Sequence, residues 1–354
     1  MELERIKKIF NLTNQVNNGN QMTNSKINVV LLVGGTSPER EVSKASGKSI
    51  LKALYDLGYK VKVIDPAYGL IQPKEEYKFF EEKDYSEISN RNQLEAVNST
   101  MLDGIDLVFI GLHGKWSEDG TLQSLLEMRG IKYTGSKVLA SALAMNKCMS
   151  KIMFQHFDVT TPKWFLINKN EIDFPLIREK IKKFFGYPCV IKPNDQGSTI
   201  GLTICRGEIE LELAVKKAFE FASTVLVEEY IIGRELTVAV LGKQALPVLE
   251  IKPIDGFYDY EHKYTSGKTE YIVPAVIPPK VAEHLQHQAL LAFNSLGCAS
   301  YARIDFRLTK DYKSYCLEVN TLPGMTNLSL VPKMAAAAGI SFEDLINKII
   351  QNEL

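Results

Sequence analysis

Residues 301–320 read YARIDFRLTKDYKSYCLEVN, two alternating runs around a polar turn. Side chains in a strand change face at every residue, so Arg303 and Asp305 share one face, as do Glu318 and Asn320. A loop at residues 310–313 sets Asp305 opposite Glu318 and Arg303 opposite Asn320. Four polar groups then converge on one side of a hairpin. Like charges directly opposite one another are destabilising, so a facing carboxylate pair points to a cation between them. Oxygen donors from Asp305, Glu318 and Asn320 suit Mg2+, which takes one or two carboxylates together with substrate phosphates. A solvated hairpin face gives the same alternation, and a one-residue slip of register removes the argument.

A metal–phosphate site needs a phosphate cradle. The P-loop pattern is absent: Gly47-Lys48-Ser49 and Gly267-Lys268-Thr269 have Val42 and His262 where its first glycine belongs. Residues 190–201 (VIKPNDQGSTIG) are the alternative. Lys192 ends an apolar run, and a loop of small residues follows whose N–H groups and hydroxyls can wrap phosphate. A plain turn reads the same way. Lys147 by itself reads as a solvated helix lysine. Glu39 could favour the N-terminus of the helix that follows it, and His113 could be a satisfied strand-end histidine.

The elements that must position these groups are an α/β unit followed by α+β units. Residues 27–33 (INVVLLV) form a continuous apolar run, the mark of a strand buried on both faces. It ends in Gly34-Gly35, and a helix is expected over 41–57, with further strands at 61–64 and 106–112. Ligands bind at the loops beyond such strand ends. The charged stretch 70–100 shows no clear pattern. One helix is expected over 136–157, then strands at 163–167, 189–192, 202–205 and 225–229, with helices at 171–186 and 207–222. Strands at 236–241, 247–251, 301–308 and 314–319 and helices at 280–296 and 341–352 complete the pattern. The expected division is an extension at 1–26 without order, then units at 27–133, 134–232 and 233–354, packed around shared clefts.

The chain has 354 residues, 42 Lys+Arg against 42 Asp+Glu, and 45% hydrophobic residues, the balance of a globular protein too long for a single simple core. Zero net charge argues against a nucleic-acid binder. Five cysteines at wide spacing without a CxxC fit neither a zinc site nor a disulfide framework, and fit a reducing cytoplasm. No run reaches the length of a membrane span.

In order along the chain come GGTSPEREVS (34–43), HGKWSEDGTLQ (113–123), YTGS (133–136), SALAMNK ending at Lys147, and IKPNDQGSTIG (191–201). VEEYIIGRELTV (227–238), FYDYEHKY ending at Tyr264, ARIDF (302–306) and LEVNTLPGMTNLSLVP (317–332) follow. From 27 to 354 the chain resembles the D-alanine–D-alanine ligases of the ATP-grasp superfamily. It departs from them at Ser117 and Ala302, where the family usually has glycine.

The resemblance implies an ATP-grasp fold with an N-terminal open α/β domain. It also implies ATP-dependent joining of two D-alanines through an acylphosphate for peptidoglycan synthesis, in a cytoplasmic homodimer, without nucleic-acid or membrane partners. By matching position, Lys147 and Lys192 contact the phosphates of ATP and Gly197, Ser198 and Thr199 cover them. Glu228, Glu229, Tyr230 and Ile231 line the adenine pocket, and Glu235 takes the ribose. Asp305, Glu318 and Asn320 hold two Mg2+ ions, with Mn2+ as the substitute. Glu39 binds the first D-alanine ammonium and His113 lies close to that substrate. Arg303 and the Gly324 N–H meet the oxyanion, and Ser329 and Lys263 face the second substrate and the transferred phosphate. Ser198, Tyr264 and Glu39 form the hydrogen-bonded set that closes the lid. The nearest rival is a ligase that joins D-alanine to D-lactate, whose members typically lack the tyrosine at position 264. Another ATP-grasp carboxylate–amine ligase and a non-catalytic nucleotide-binding protein are the remaining alternatives.

Overall fold

The computed structural model describes residues 27–253, 269–326 and 329–354. The expected extension at 1–26, Lys263 and Tyr264 lie outside them. β1 (Asn28–Leu32) runs between β2 (Lys60–Ile64) and β3 (Leu107–Ile110), parallel to both. An apolar run is what a central strand with two covered faces requires. Helix α1 (Arg40–Asp56) leaves the loop after β1 and buries Ile50, Leu51, Ala53 and Leu54. The stretch that showed no pattern contains α2 (Asn90–Asn98), started by the Ser89 hydroxyl accepting from the Asn92 N–H. Helix α3 (Thr121–Met128) follows β3.

The helix expected over 136–157 is two, α4 (Val138–Met145) and α5 (Lys147–His156). Asn146 separates them in an extended conformation, and its side chain accepts from the Met149 N–H. The break is held from a distance. The Asn194 amide donates to Asn146 Oδ1, its Oδ1 accepts from the Cys148 N–H, and its carbonyl accepts from the Lys147 N–H. Local propensity favours one helix; three bonds from a residue far along the chain override it and set Lys147 at the start of α5.

A four-stranded antiparallel sheet follows, in the order β4 (Trp164–Asn168), β7 (Thr224–Glu229), β5 (Cys189–Pro193), β6 (Thr203–Cys205). Helices α6 (Phe174–Phe184) and α7 (Glu208–Ala218) share its apolar core through Ile177, Ile181, Leu211 and Val215. The last sheet runs β11 (Thr269–Ile272), β10 (Leu249–Pro253), β8 (Arg234–Leu241), β12 (Tyr301–Leu308), β13 (Ser314–Asn320), with β9 (Gln244–Ala245) beside β8. Helix α8 (Pro279–Ser295) covers one face of it. After α9 (Leu330–Ala337), helix α10 (Phe342–Gln351) buries Leu345, Ile346, Ile349 and Ile350 in the core of the first sheet. The C-terminal helix therefore closes the N-terminal unit. No described helix is long and apolar enough to cross a membrane.

The β12–β13 hairpin reaches the expected pairing by another route. Arg303 faces Asn320 and Asp305 faces Glu318, but Leu308 faces Ser314, so the turn is one residue longer than assumed. An irregularity after Asp305, where Glu318 is followed in register by Cys316, leaves Leu317 as the extra residue of a bulge. Ser314 and Cys316 are buried, and strict alternation would have turned Glu318 inward with them. The bulge turns Glu318 and Asn320 to the face of Arg303 and Asp305.

Candidate active site

Loops from the first sheet and side chains from the other two surround one cavity of about 920 Å3. Every described residue singled out from the sequence borders it: Glu39 and His113; Lys147; Lys192 and the loop Gly197, Ser198 and Thr199; Glu228, Glu229, Tyr230, Ile231 and Glu235; Arg303, Asp305, Glu318 and Asn320; and Gly324 and Ser329. The expected contacts of Lys263 and Tyr264 lie outside the described residues.

At the N-terminal side the turn after β1 is built around buried charge. Gly34 has φ of +73°, and a Cβ there would lie 2.1 Å from Asp65 Oδ2, so only glycine fits. The Arg40 guanidinium sits beside it, 2.6 Å from Asp65 and 2.8 Å from Asp84, and donates to the Gly35 carbonyl. Lys44 reaches Asp84 at 3.1 Å. This network holds the segment that presents Glu39. The Glu39 N–H donates to Ser37 Oγ, and Ser37 donates to the His113 carbonyl at 2.6 Å.

The His113 ring is fully engaged. Nδ1 lies 2.8 Å from the Leu322 carbonyl and Nε2 lies 2.9 Å from Ser46 Oγ. A carbonyl only accepts, so Nδ1 carries a proton. Ser46 Oγ also accepts from the Met325 N–H at 3.1 Å. His113 thus ties the 321–326 loop to the first sheet, as a satisfied strand-end histidine does, while bordering the cavity. Glu118 lies 3.7 Å from Nδ1. Burial opposes the His113 cation, yet Glu118 and Glu39 outweigh it and raise the ring's pKa above the ordinary histidine value. Burial likewise raises the Glu118 carboxyl, with His113 opposing. Ser117 and Ala302 take no left-handed φ, so neither departure from the family's glycines strains the backbone.

On the other side the cavity is lined with charge. Lys147 Nζ donates to the Gln196 carbonyl at 2.7 Å and lies 3.2 Å from Glu318. Arg303 makes a two-pronged contact with Asp305 at 2.8 and 2.7 Å, and the Thr237 hydroxyl donates to Asp305 Oδ1 at 2.6 Å. These contacts correct one step of the sequence argument. The facing carboxylates do not need an external cation to coexist, because Arg303 and Lys147 already balance them. The donor set still suits Mg2+: two carboxylates and the Asn320 amide share one face, and Asn320 Oδ1, which accepts from the Leu322 N–H, keeps a second lone pair.

Ser198 and Thr199 adopt left-handed φ values of 51° and 64°, which folds the loop back on itself. A Cβ on Gly197 would stand 3.0 Å from Glu39 Oε1, so this loop lies against the N-terminal side. Glu228 borders the cavity as expected, but its carboxylate is enclosed between Lys192 at 3.2 Å and Lys151 at 2.6 Å. Glu235 is held by Arg307 at 3.2 Å.

Sequence reasoning missed Lys151, Arg307, Thr237, Glu118 and Ser46. Two had a usable signal. Arg307 follows Asp305 by two on a strand, and Lys151 follows Lys147 by four on a helix, so each shares a face with a residue already chosen. Thr237 and Ser46 act through pairings between distant segments, which spacing does not reveal.

Two antiparallel sheets enclosing a cleft of lysines and carboxylates, beside an open parallel sheet whose loops enter that cleft, define an ATP-grasp enzyme. The family models for the D-ala D-ala ligase N-terminus and C-terminus match residues 28–136 and 153–351, and the chain belongs to this family. It is 42% identical over 322 residues to a D-alanine–D-alanine ligase of Syntrophotalea carbinolica, covering 91% of this chain and 94% of that one. It is 41% identical over 331 residues to one from Geobacter sulfurreducens, covering 93% and 94%. Among solved structures, the Bacillus anthracis D-alanine–D-alanine ligase complexed with ATP superposes with a TM-score of 0.73 at 32% identity, over 92% of this chain and 96% of that one. The VanG D-Ala:D-Ser ligase of Enterococcus faecalis gives 0.77 at 29% identity, over 93% and 99%.

Proposed function

We propose that this protein joins two D-alanine molecules to D-alanyl-D-alanine with ATP, through an acylphosphate, to supply peptidoglycan precursors. One observation carries the reading. Glu39 and His113 of the first sheet border the same cavity as Lys147, Lys192, Asp305 and Glu318 of the other two, so an amino acid and a nucleotide phosphate can meet there.

A carboxylate is a poor electrophile, and an anionic γ-phosphate must approach it. Lys147 and Lys192 lower that repulsion, and Gly197, Ser198 and Thr199 cover the phosphates. Two Mg2+ ions, or Mn2+ in their place, would be held by Asp305, Glu318 and Asn320 and would supply further charge neutralisation. Glu229, Tyr230 and Ile231 line the base pocket with Glu228, and Glu235 accepts from the ribose hydroxyls. Glu39 receives the ammonium of the first D-alanine. His113 acts on that substrate through position, since its ring nitrogens hold Leu322 and Ser46. The amine of the second D-alanine then attacks the carbonyl carbon of the acylphosphate, loses a proton, and the C–O bond to inorganic phosphate breaks as the intermediate collapses. Arg303 and the Gly324 N–H stabilise the tetrahedral oxyanion, and Ser329 orients the second substrate. Lys263 and Tyr264 join this set from the sequence match, Tyr264 with Ser198 and Glu39.

The proposed units are 27–133, 134–232 and 233–354, and one sheet lying in each supports the division. A cytoplasmic homodimer completes the proposal; the five cysteines are free, which fits a reducing compartment. The test is phosphate release and product identification with ATP and D-alanine alone, then with D-lactate or D-serine added. The D-serine arm is warranted by the similarity to a D-Ala:D-Ser ligase. D-alanyl-D-alanine as the dominant product supports the reading, and a mixed product formed in preference overturns it.

A further inference from the structure

Lys151 is fully enclosed, with a side-chain exposure of 0%. It lies one turn beyond Lys147 on α5 and does not border the cavity. Its ammonium is 2.6 Å from Glu228 Oε2 and 2.6 Å from Thr161 Oγ1. The other Glu228 oxygen lies 3.2 Å from Lys192 Nζ, and Lys192 does border the cavity. Three charges thus stand in a row, positive, negative, positive, and of its two lysines Lys192 and not Lys151 faces the space assigned to ATP. Thr161 donates onward to the Cys316 carbonyl at 2.8 Å, and the Cys316 N–H donates to the Thr160 carbonyl at 2.7 Å. The row is therefore braced against β13, the strand whose bulge turns Glu318 into the cavity.

A lysine sealed from water is costly unless it is paired and hydrogen-bonded. Burial drives the Lys151 ammonium to lower pKa, against Glu228. Burial raises the Glu228 carboxyl, but Lys151 and Lys192 together overcome it, and its pKa is lowered. With Lys151 in place the three groups sum to one positive charge. Without it they sum to zero, and among the described residues the enclosed carboxylate keeps Lys192 as its cation. Lys192 would then close on Glu228 and lose its field in the cavity.

We infer that Lys151 is a positioning residue for nucleotide binding: by neutralising Glu228 from behind, it leaves the charge of Lys192 uncompensated toward the phosphates of ATP. This rests on the ATP reading of the cavity. It differs from a structural role because it concerns phosphate and not the base or ribose.

The experiment compares ATP with adenosine, which shares the base and ribose and lacks phosphate, by calorimetric titration of the full chain. Lys151→Met should weaken ATP about tenfold more than it weakens adenosine, since the base meets Glu228 in both ligands. Parallel weakening of both ligands, or no change in either, overturns the inference. Should the single variant fail to fold, Lys151→Met with Glu228→Gln replaces the buried pair by neutral groups of similar size. The double variant should keep the ratio of ATP to adenosine affinity of the unaltered protein. A tenfold fall in that ratio overturns the inference. Failure of the unaltered protein to bind ATP at all would instead remove the nucleotide reading beneath it.

Discussion

Around Glu39 the cations are shut away in fixed partnerships. Arg40 is held by Asp65, Asp84 and the Gly35 carbonyl, Lys44 by Glu41, Asp84 and the Glu81 carbonyl, and His113 by Leu322 and Ser46. Around Asp305 the charges border the cavity and hold one another: Arg303 on Asp305, Lys147 on Glu318, Arg307 on Glu235. The first arrangement ties the Glu39 segment to its neighbours through enclosed contacts. The second keeps its charges in pairs that face the space assigned above to the nucleotide. Removing one partner of a buried pair is strongly destabilising, and Asp65, with no exposed side-chain surface, is enclosed more completely than Asp305 or Glu318. The two regions should therefore fail in different ways when mutated.

The largest effect is expected at Arg40. Arg40→Met leaves Asp65 enclosed without its cation and should cost roughly 3–5 kcal/mol of stability, read as a fall in chemical-denaturation midpoint. D-alanine KM should rise as the Glu39 segment loosens. An Arg40 variant as stable as the parent would dissolve the contrast between the two regions. On the other side, Asp305→Asn and Glu318→Gln should cost less stability than Arg40→Met but slow turnover a hundredfold or more, about 3 kcal/mol of lost transition-state stabilisation. Near-normal rates across a Mg2+ titration would remove both from the metal set.

A smaller effect sharpens the role of His113. Ser46→Ala withdraws the partner of Nε2 and of the Met325 N–H. The expected loss is about 1–3 kcal/mol for groups left without a bond in the interior, with D-alanine KM raised and ATP affinity unchanged. If ATP affinity falls as much, the 321–326 loop serves both substrates equally. The smallest effect is a pH dependence at Asp84. Burial raises this carboxyl, but Arg40 and Lys44 outweigh it and hold it below the usual range. Its contribution to stability is present above the unfolded carboxylate pKa and disappears as pH falls through the lowered folded value. The stability difference between the parent and Asp84→Asn should accordingly shrink below about pH 4. A difference that persists unchanged at pH 3 would assign Asp84 a role independent of its charge.

Much of the site was legible because its parts are local. The β1 run, Gly34-Gly35 and the alternation in residues 301–308 each state their geometry over a few residues, since strand period and left-handed glycine are short-range properties. What was not legible depends on contacts between distant segments. Asn146 breaks the helix at 138–156 because Asn194 holds it there. The hairpin placed Asp305 opposite Glu318 although the turn was misjudged, because the bulge at Leu317 offset the error.

The sequence by itself determined most of the strands and the glycine turns, through periodicity and backbone sterics, and the order of its motifs named most of the groups that border the cavity, though not Glu118 or Arg307. Only the tertiary structure decided which charge meets which. Glu228 lies between Lys192 and Lys151, Arg303 lies on Asp305, and α10 seals the first sheet's core. The reason is that pairing energies depend on distance and burial, and both are set by how sheets pack rather than by how residues are spaced along the chain.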